Sequence, residues 1–179
     1  MAFAAASTLI KIALVLAMIG FLLAVIGFAT PYWMSYSGYD VHRRHVSVNS
    51  GLWRSCHEGY SYYSRRSTYI EQCYKAVGPG WFDATKTFVI FGLIAALAAL
   101  VLFILYVFVP KTSDNKTVFI LAMVACFAAA GCIILGIIIY GSKMDNLSWS
   151  FALCCIAGII FGISGILLVV DMLKPVGHK

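Results

Sequence analysis

The chain has 179 residues, 62% of them hydrophobic and only 11% charged, with a mean hydropathy of +0.92 and a formal net charge of +6. Soluble domains carry about a quarter charged residues, so water is excluded as the main solvent of this chain. Four apolar runs carry the hydropathy, each close to the roughly 20 residues that an α-helix needs to cross a ~30 Å hydrocarbon core.

The first run, Ile12 to Thr30, opens after Lys11. Small residues around Ala29 weakly resemble a cleavage site, but the run exceeds the ~7–15 residues of a signal-peptide core, so an uncleaved span over about 10–31 is expected. The polar loop 32–85 follows. In it Tyr39, Val41, Val46 and Val48 give strand-like alternations, and Asn49-Ser50-Gly51 is a turn signal. Gly51 to Cys56 resumes as a second strand, and Ser67 to Val77 is again β-rich. A short antiparallel sheet is predicted, resting on the outer helix ends that cover its inner face. Cys56 and Cys73 are the only cysteines outside the apolar runs, and a bridge between them would enclose sixteen residues. Such a closure is worth about 3 kcal/mol in loop entropy, and a sheet this small needs a staple.

The second run, Thr87 to Val109, predicts a span over about 86–109, and the third, Val118 to Tyr140, one over about 117–141. Ala122, Cys126 and Ala130 make a small-residue stripe on the third. A short outer loop at 142–146 leads into the fourth run, Leu147 to Val170, with a span over about 147–171. There Gly158 and Gly162 stand four residues apart, with Cys154 before them at the same interval and Gly165 after. Small residues so spaced form a groove for a neighbouring backbone. Packing inside one bundle is the simpler use of that groove, and a dimerisation face is the other.

No Asp, Glu, Lys, Arg or His falls inside any run, which argues against proton relays, ion-coupled transport and voltage sensing. Tyr32, Trp33, Trp81, Phe82, Tyr140 and Trp149 gather at the ends facing the large loop, where amphipathic rings suit the headgroup region. Cys126, Cys132, Cys154 and Cys155 lie within apolar runs and read as packing residues, not palmitoylation sites.

Two rules disagree on sidedness. Lys11, Lys111, Lys116, Lys174 and Lys179 lie on one side; Arg43, Arg44, Arg54, Arg65, Arg66, Lys75, Lys86 and Lys143 lie on the other. Counted naively, the positive-inside rule puts the large loop in the cytoplasm. A cysteine pair in a polar loop argues for the oxidising exterior, and many of the arginines lie far from span ends, where the charge rule weakens. Both termini are therefore expected in the cytoplasm of a multi-pass plasma-membrane protein.

Trp33 after Thr30-Pro31-Tyr32, then Gly51-Leu52-Trp53, then Cys56 and Cys73, followed by an aromatic-rich second span, resembles the signature of the claudin, peripheral myelin protein and epithelial membrane protein superfamily. The pattern there is W, then G-L-W-x-x-C, then C, and the resemblance extends to four spans with a large first outer loop. Among members it is most like an invertebrate-type claudin-like protein. The chain departs from the claudins in a wider spacing between the two cysteines, and in ending Pro175-Val176-Gly177-His178-Lys179, which lacks the hydrophobic terminus that PDZ scaffolds bind. Direct PDZ binding is not expected.

The resemblance implies a structural junction protein that assembles in cis and trans to form or regulate a paracellular barrier or pore. The alternative it leaves open is an auxiliary subunit or membrane organiser for a channel, receptor or lipid domain. The first loop sets Arg43, Arg44, Arg54, Arg65, Arg66 and Lys75 against Asp40, Glu58 and Glu71, a surplus that would favour anions if it lined a narrow aqueous path. Tyr60, Tyr62 and Tyr63, interleaved with serine and followed by Arg65 and Arg66, suit contact with a partner protein. His42, His45 and His57 near the cysteines lack the close cysteine pairing of a zinc site. No nucleophilic triad, phosphate loop or carboxylate pair stands out, so neither enzymatic activity nor a cofactor is expected. Nucleic acid is not an expected partner; the bilayer and another membrane protein, or a second copy, are. Asn146-Leu147-Ser148 and Asn115-Lys116-Thr117 match the glycosylation sequon, but the first abuts a span and the second is on the cytoplasmic side, so neither is expected to be modified.

Overall fold

A computed structural model of the protein describes residues 7–39, 45–63, 66–109 and 115–173, with the backbone alone over 60–63 and 66–70. Four helices carry the apolar runs: α1 (Thr8–Ala29), α2 (Gly80–Phe108), α3 (Lys116–Gly141) and α4 (Trp149–Leu173). Each is long and apolar enough to cross a bilayer. Ser7 caps α1, its hydroxyl oxygen accepting from the Ile10 N–H at 3.2 Å. The same hydroxyl donates to Asp171 Oδ1 at 2.6 Å, tying the start of α1 to the end of α4. Asn115 caps α3 by accepting from the Thr117 N–H at 3.0 Å.

α2 begins at Gly80, six residues before the span expected at 86. The reason lies in its first turns. Asp83 suits the positive end of the helix dipole, and the Thr85 and Thr87 hydroxyls donate to the carbonyls of Trp81 and Asp83 at 3.0 and 2.8 Å. These hydroxyls are thereby satisfied within the helix, which starts about 9 Å before the expected span.

Hydrophobic burial cannot drive helix association in lipid, so the bundle depends on close packing. α2 lies along α3, α1 along α4 and α3 along α4, while α1 and α2 touch more lightly. The core accordingly combines alanines, among them Ala17, Ala96, Ala99, Ala129 and Ala157, with Phe103, Phe161 and Leu168. A Cβ on Gly27 would lie 2.6 Å from Cys154 Sγ, which shows how closely α1 and α4 approach. Outward, Leu22, Phe91, Ile94, Ile138 and Ile159 are exposed, as lipid-facing positions require.

Over the helix ends opposite the chain termini sits a four-stranded antiparallel sheet in the order β1 (Met34–Tyr39), β2 (His45–Ser50), β3 (Arg54–Tyr63) and β4 (Arg66–Lys75). The sheet class agrees with the sequence reading, but its layout is finer. The stretch from Tyr39 to Val48 divides between two strands, with 40–44 outside the described residues. β3 runs on past Cys56 to Tyr63, pairing through Tyr63↔Arg66. The loop between α3 and α4 also joins the sheet. Met34 bridges to Leu147, Ser35 N–H donates to the Asn146 carbonyl at 3.1 Å, and Ser148 N–H donates to the Trp33 carbonyl at 2.9 Å. Asn146 adopts φ 57°, a left-handed conformation that asparagine tolerates better than most residues.

Candidate interaction surface and its anchor

The sheet is held by a buried aromatic cluster built around Trp33, which is fully buried. Its backbone N–H donates to the Ser50 carbonyl at 2.9 Å and its carbonyl accepts from Ser148, so one residue joins β2 to the segment entering α4. Its ring meets Tyr140 and Phe151 edge to face, with centroids 5.0 and 5.7 Å apart. Such geometry is worth ~0.5–1.5 kcal/mol per pair beyond burial. Thr30 and Ser150 hydroxyls pair at 2.8 Å, and the Ser150 N–H at the start of α4 donates to the Tyr32 carbonyl at 3.1 Å. The exit of α1 and the entry of α4 are thereby locked together.

Gly51-Leu52-Trp53 forms the turn from β2 to β3, closed by Gly51 N–H donating to the Arg54 carbonyl at 2.8 Å. Each residue has a separate task. A Cβ on Gly51 would stand 2.6 Å from both the Thr30 carbonyl oxygen and Pro31 Cα, so only glycine lets the turn rest on the end of α1. Leu52 is fully buried in the Trp33 cluster. Trp53 packs edge to face on Phe28 at 5.1 Å, and its carbonyl accepts from Ala76 N–H at 2.8 Å, which ties down the chain leaving β4.

Lys86 completes the anchor, a role its sequence position at a span end did not announce. Its ammonium donates to the Ala76 carbonyl at 3.2 Å, pairs with Asp83 at 3.5 Å, and lies 4.3 Å from the Phe82 ring centroid. Only 14% of the side chain is exposed. The charge is held by a carbonyl, a carboxylate and an aromatic face.

Cys56 and Cys73 form a disulfide across directly opposed positions of β3 and β4. Their thiols are therefore consumed, and the nearby Glu71 does not make a metal-binding group with them. Directly opposed residues share a face, and every second residue returns to it. Arg54 with Lys75, Cys56 with Cys73, and Glu58 with Glu71 are thus successive rows on one face, about 7 Å apart. A pair of cations, the disulfide and a pair of carboxylates follow one another along the hairpin. Arg54, Glu71 and Lys75 are exposed.

The remaining candidates are distributed as follows. Tyr60, Tyr62, Tyr63 and Arg66 belong to the far half of the β3–β4 hairpin, opposite Tyr69, Ser67, Arg66 and Tyr63 respectively. Arg43, Arg44 and Arg65, with Asp40 and His42, lie outside the described residues. His45 is in β2 opposite Tyr39, and His57 in β3 opposite Val48, so the two histidines are not neighbours in register. Gly158 and Gly165 face α3: a Cβ on the first would meet Ile134 at 3.1 Å, and on the second Phe127 at 3.0 Å. Gly162 is looser, 3.9 Å from the Ala130 side chain.

Fold and anchor together define a four-span membrane protein that presents a disulfide-stapled β-domain on one side of the bilayer. The chain matches, over residues 18–170, the family model described as PMP-22/EMP/MP20/Claudin tight junction, and it belongs to that family. No curated protein matches it.

Proposed function

We propose that the protein is a structural, non-enzymatic component of cell–cell junctions. It assembles side by side within one plasma membrane and with its counterpart across the intercellular gap, forming or regulating a paracellular barrier or pore. In this reading both termini are cytoplasmic and the sheet faces outward. The observation that carries it is the rigid mounting of the sheet: Trp33, Leu52 and Lys86 fix a charged, exposed hairpin to the helix ends, as a surface for recognition requires. Family membership supplies the direction of the inference. The finer placement among invertebrate-type claudin-like members is part of the same proposal and is supported by the sequence resemblance alone.

The first-loop cations Arg43, Arg44, Arg54, Arg65, Arg66 and Lys75 outnumber Asp40, Glu58 and Glu71, which supports a preference for anions along any path this surface lines. Tyr60, Tyr62 and Tyr63 supply rigid amphipathic area for contact. The test is expression in a non-adherent cell line lacking junction proteins. The reading requires the protein to concentrate where two expressing cells touch; a uniform surface distribution overturns it. For selectivity, Arg43→Glu with Arg44→Glu in a cell layer must lower the anion-to-cation permeability ratio. An unchanged ratio removes the anion preference.

A further inference from the structure

The β3–β4 hairpin carries its charges in an unfavourable order. Arg54 stands directly opposite Lys75, and Glu58 directly opposite Glu71, with the Cys56–Cys73 row midway between them. Like charges at directly opposed positions repel, and the hairpin sets them so twice. Opposite charges of one chain are two rows apart, about 14 Å, beyond direct or diagonal neighbours. Exchanging Glu71 and Lys75 would have paired every charge of these rows within the chain. We propose that this face binds the same face of a second copy of the chain, the two hairpins stacked antiparallel about the disulfide row.

The charge order selects both the partner and its orientation. Two identical hairpins face to face are related by a two-fold axis lying between them. If the axis crosses the strands at the disulfide row, strand direction reverses and each strand lies over its own copy. Arg54 then faces Glu58 of the second copy and Lys75 faces its Glu71, so opposite charges flank the stacked disulfides on both sides. If the axis runs along the strands, cation meets cation and carboxylate meets carboxylate. Stacked sheets lie about 10 Å apart, a gap that long charged side chains bridge from both sides. The face is open to such a partner. Arg54, Glu71, Cys73 and Lys75 are exposed, whereas Ser55, His57 and Tyr74, on the opposite face, line the cleft against the start of α2. The two neighbouring strands add only short side chains, Ser35 and Ser37 from β1 and Ser47 and Asn49 from β2. Of these, the Ser35 hydroxyl already donates to Asn49 Oδ1 at 2.8 Å. A hairpin face of about 10 by 30 Å is smaller than a stable soluble complex needs, so the contact relies on copies that the membrane keeps close.

The inference rests on the proposed self-association and names a surface for it. Its test uses purified full-length protein, so the hairpin contact and the gathering at cell contacts can fail separately. Chains labelled with nitrogen-15 are mixed with unlabelled chains, concentrated in maltoside micelles and treated with a carbodiimide, which joins a lysine to a carboxylate only at contact distance. A Lys75–Glu71 link between a labelled and an unlabelled chain is expected. Sedimentation equilibrium in density-matched detergent then reads the strength of the dimer. Lys75→Glu and Glu71→Lys should each raise its dissociation constant at least tenfold. Each also sets opposite charges across its own hairpin, so the melting temperature should hold or rise, where damage to folding would lower it. Combining both substitutions in one chain restores opposite charges at every pair of the dimer, and association should return. Absence of the mixed link, an unchanged dissociation constant in both single variants, or no recovery in the combined variant would each overturn the assignment.

Discussion

The indole Nε1 of Trp33 donates to the carbonyl oxygen of Gly27 at 2.7 Å, inside the aromatic cluster. In an uninterrupted helix that oxygen would accept from the N–H of residue 31, but residue 31 is proline and has none. Pro31 ends α1 and leaves an acceptor unmet; Trp33, two residues on, meets it. Replacing Trp33 by phenylalanine keeps much of the packing but strands the Gly27 oxygen, at a cost of about 1–3 kcal/mol. Trp33→Ala adds a cavity and should cost about 3–5 kcal/mol. Thermal unfolding in detergent reads both, and equal melting temperatures for Trp33→Phe and the parent would show that the hydrogen bond is immaterial.

Gly51→Ala pushes a methyl group against backbone, the Thr30 oxygen and Pro31 Cα, neither of which can swing aside. We expect a loss of about 1–3 kcal/mol and a lower yield of folded, disulfide-bonded protein. Gly131→Ala is the matched control. Nothing lies within 4 Å of its Cβ and it sits inside α3, so it should stabilise by up to ~1 kcal/mol through helix propensity. A Gly51 variant as stable as the Gly131 variant would refute the close approach of turn and helix.

The parts of this architecture that sequence reveals are those set by local or strongly typed signals. Four apolar runs give four spans, two cysteines outside them give the disulfide, and Gly51-Leu52-Trp53 flags the turn. Contacts between distant segments left no such trace. The Lys86 site needs Ala76, Phe82 and Asp83 brought together by the chain's return from the sheet, whereas the sequence offers only a lysine at a span end. The start of α2 at Gly80 was hidden because hydropathy marks the apolar slab, not the helix passing beyond it. β3 beyond Cys56 was hidden because Gly59, serines and tyrosines do not alternate in hydrophobicity, and its pairing with β4 fixes it instead.

Lys86→Met retains the length and packing of the side chain and removes its charge. It loses a charge-assisted bond to the Ala76 carbonyl and the approach to Phe82, so destabilisation of about 1–2 kcal/mol is expected. Asp83→Asn should cost less than ~1 kcal/mol, because the carboxylate is largely exposed. Hydrogen exchange would locate the Lys86 effect in residues 73–80. Equal losses from both variants would mean that the ion pair, and not the carbonyl and ring, holds the lysine.

Tyr140 points the other way. Its ring is fully buried among Trp33, Trp81, Phe82 and Phe151, yet its hydroxyl has no hydrogen-bond partner among the described residues. Tyr140→Phe removes the polar atom and keeps the packing, so stability should rise or hold. A drop of more than ~1 kcal/mol would reveal a partner for the hydroxyl in the folded protein.

The glycines of α4 distinguish packing inside one bundle from packing between bundles. At Gly165 an added Cβ meets the Phe127 ring at 3.0 Å, whereas at Gly162 the nearest atom is an ordinary 3.9 Å away. Gly165→Leu should therefore lower the melting temperature of the isolated chain, with a cost of about 1–3 kcal/mol from overpacking against α3. Gly162→Ala should hold it or raise it slightly, since the added methyl meets only an ordinary contact and the helix gains propensity. If Gly165→Leu instead kept the melting temperature and reduced only crosslinked dimers in the membrane, the α4 groove would serve a second copy and its contact with Phe127 would be dispensable.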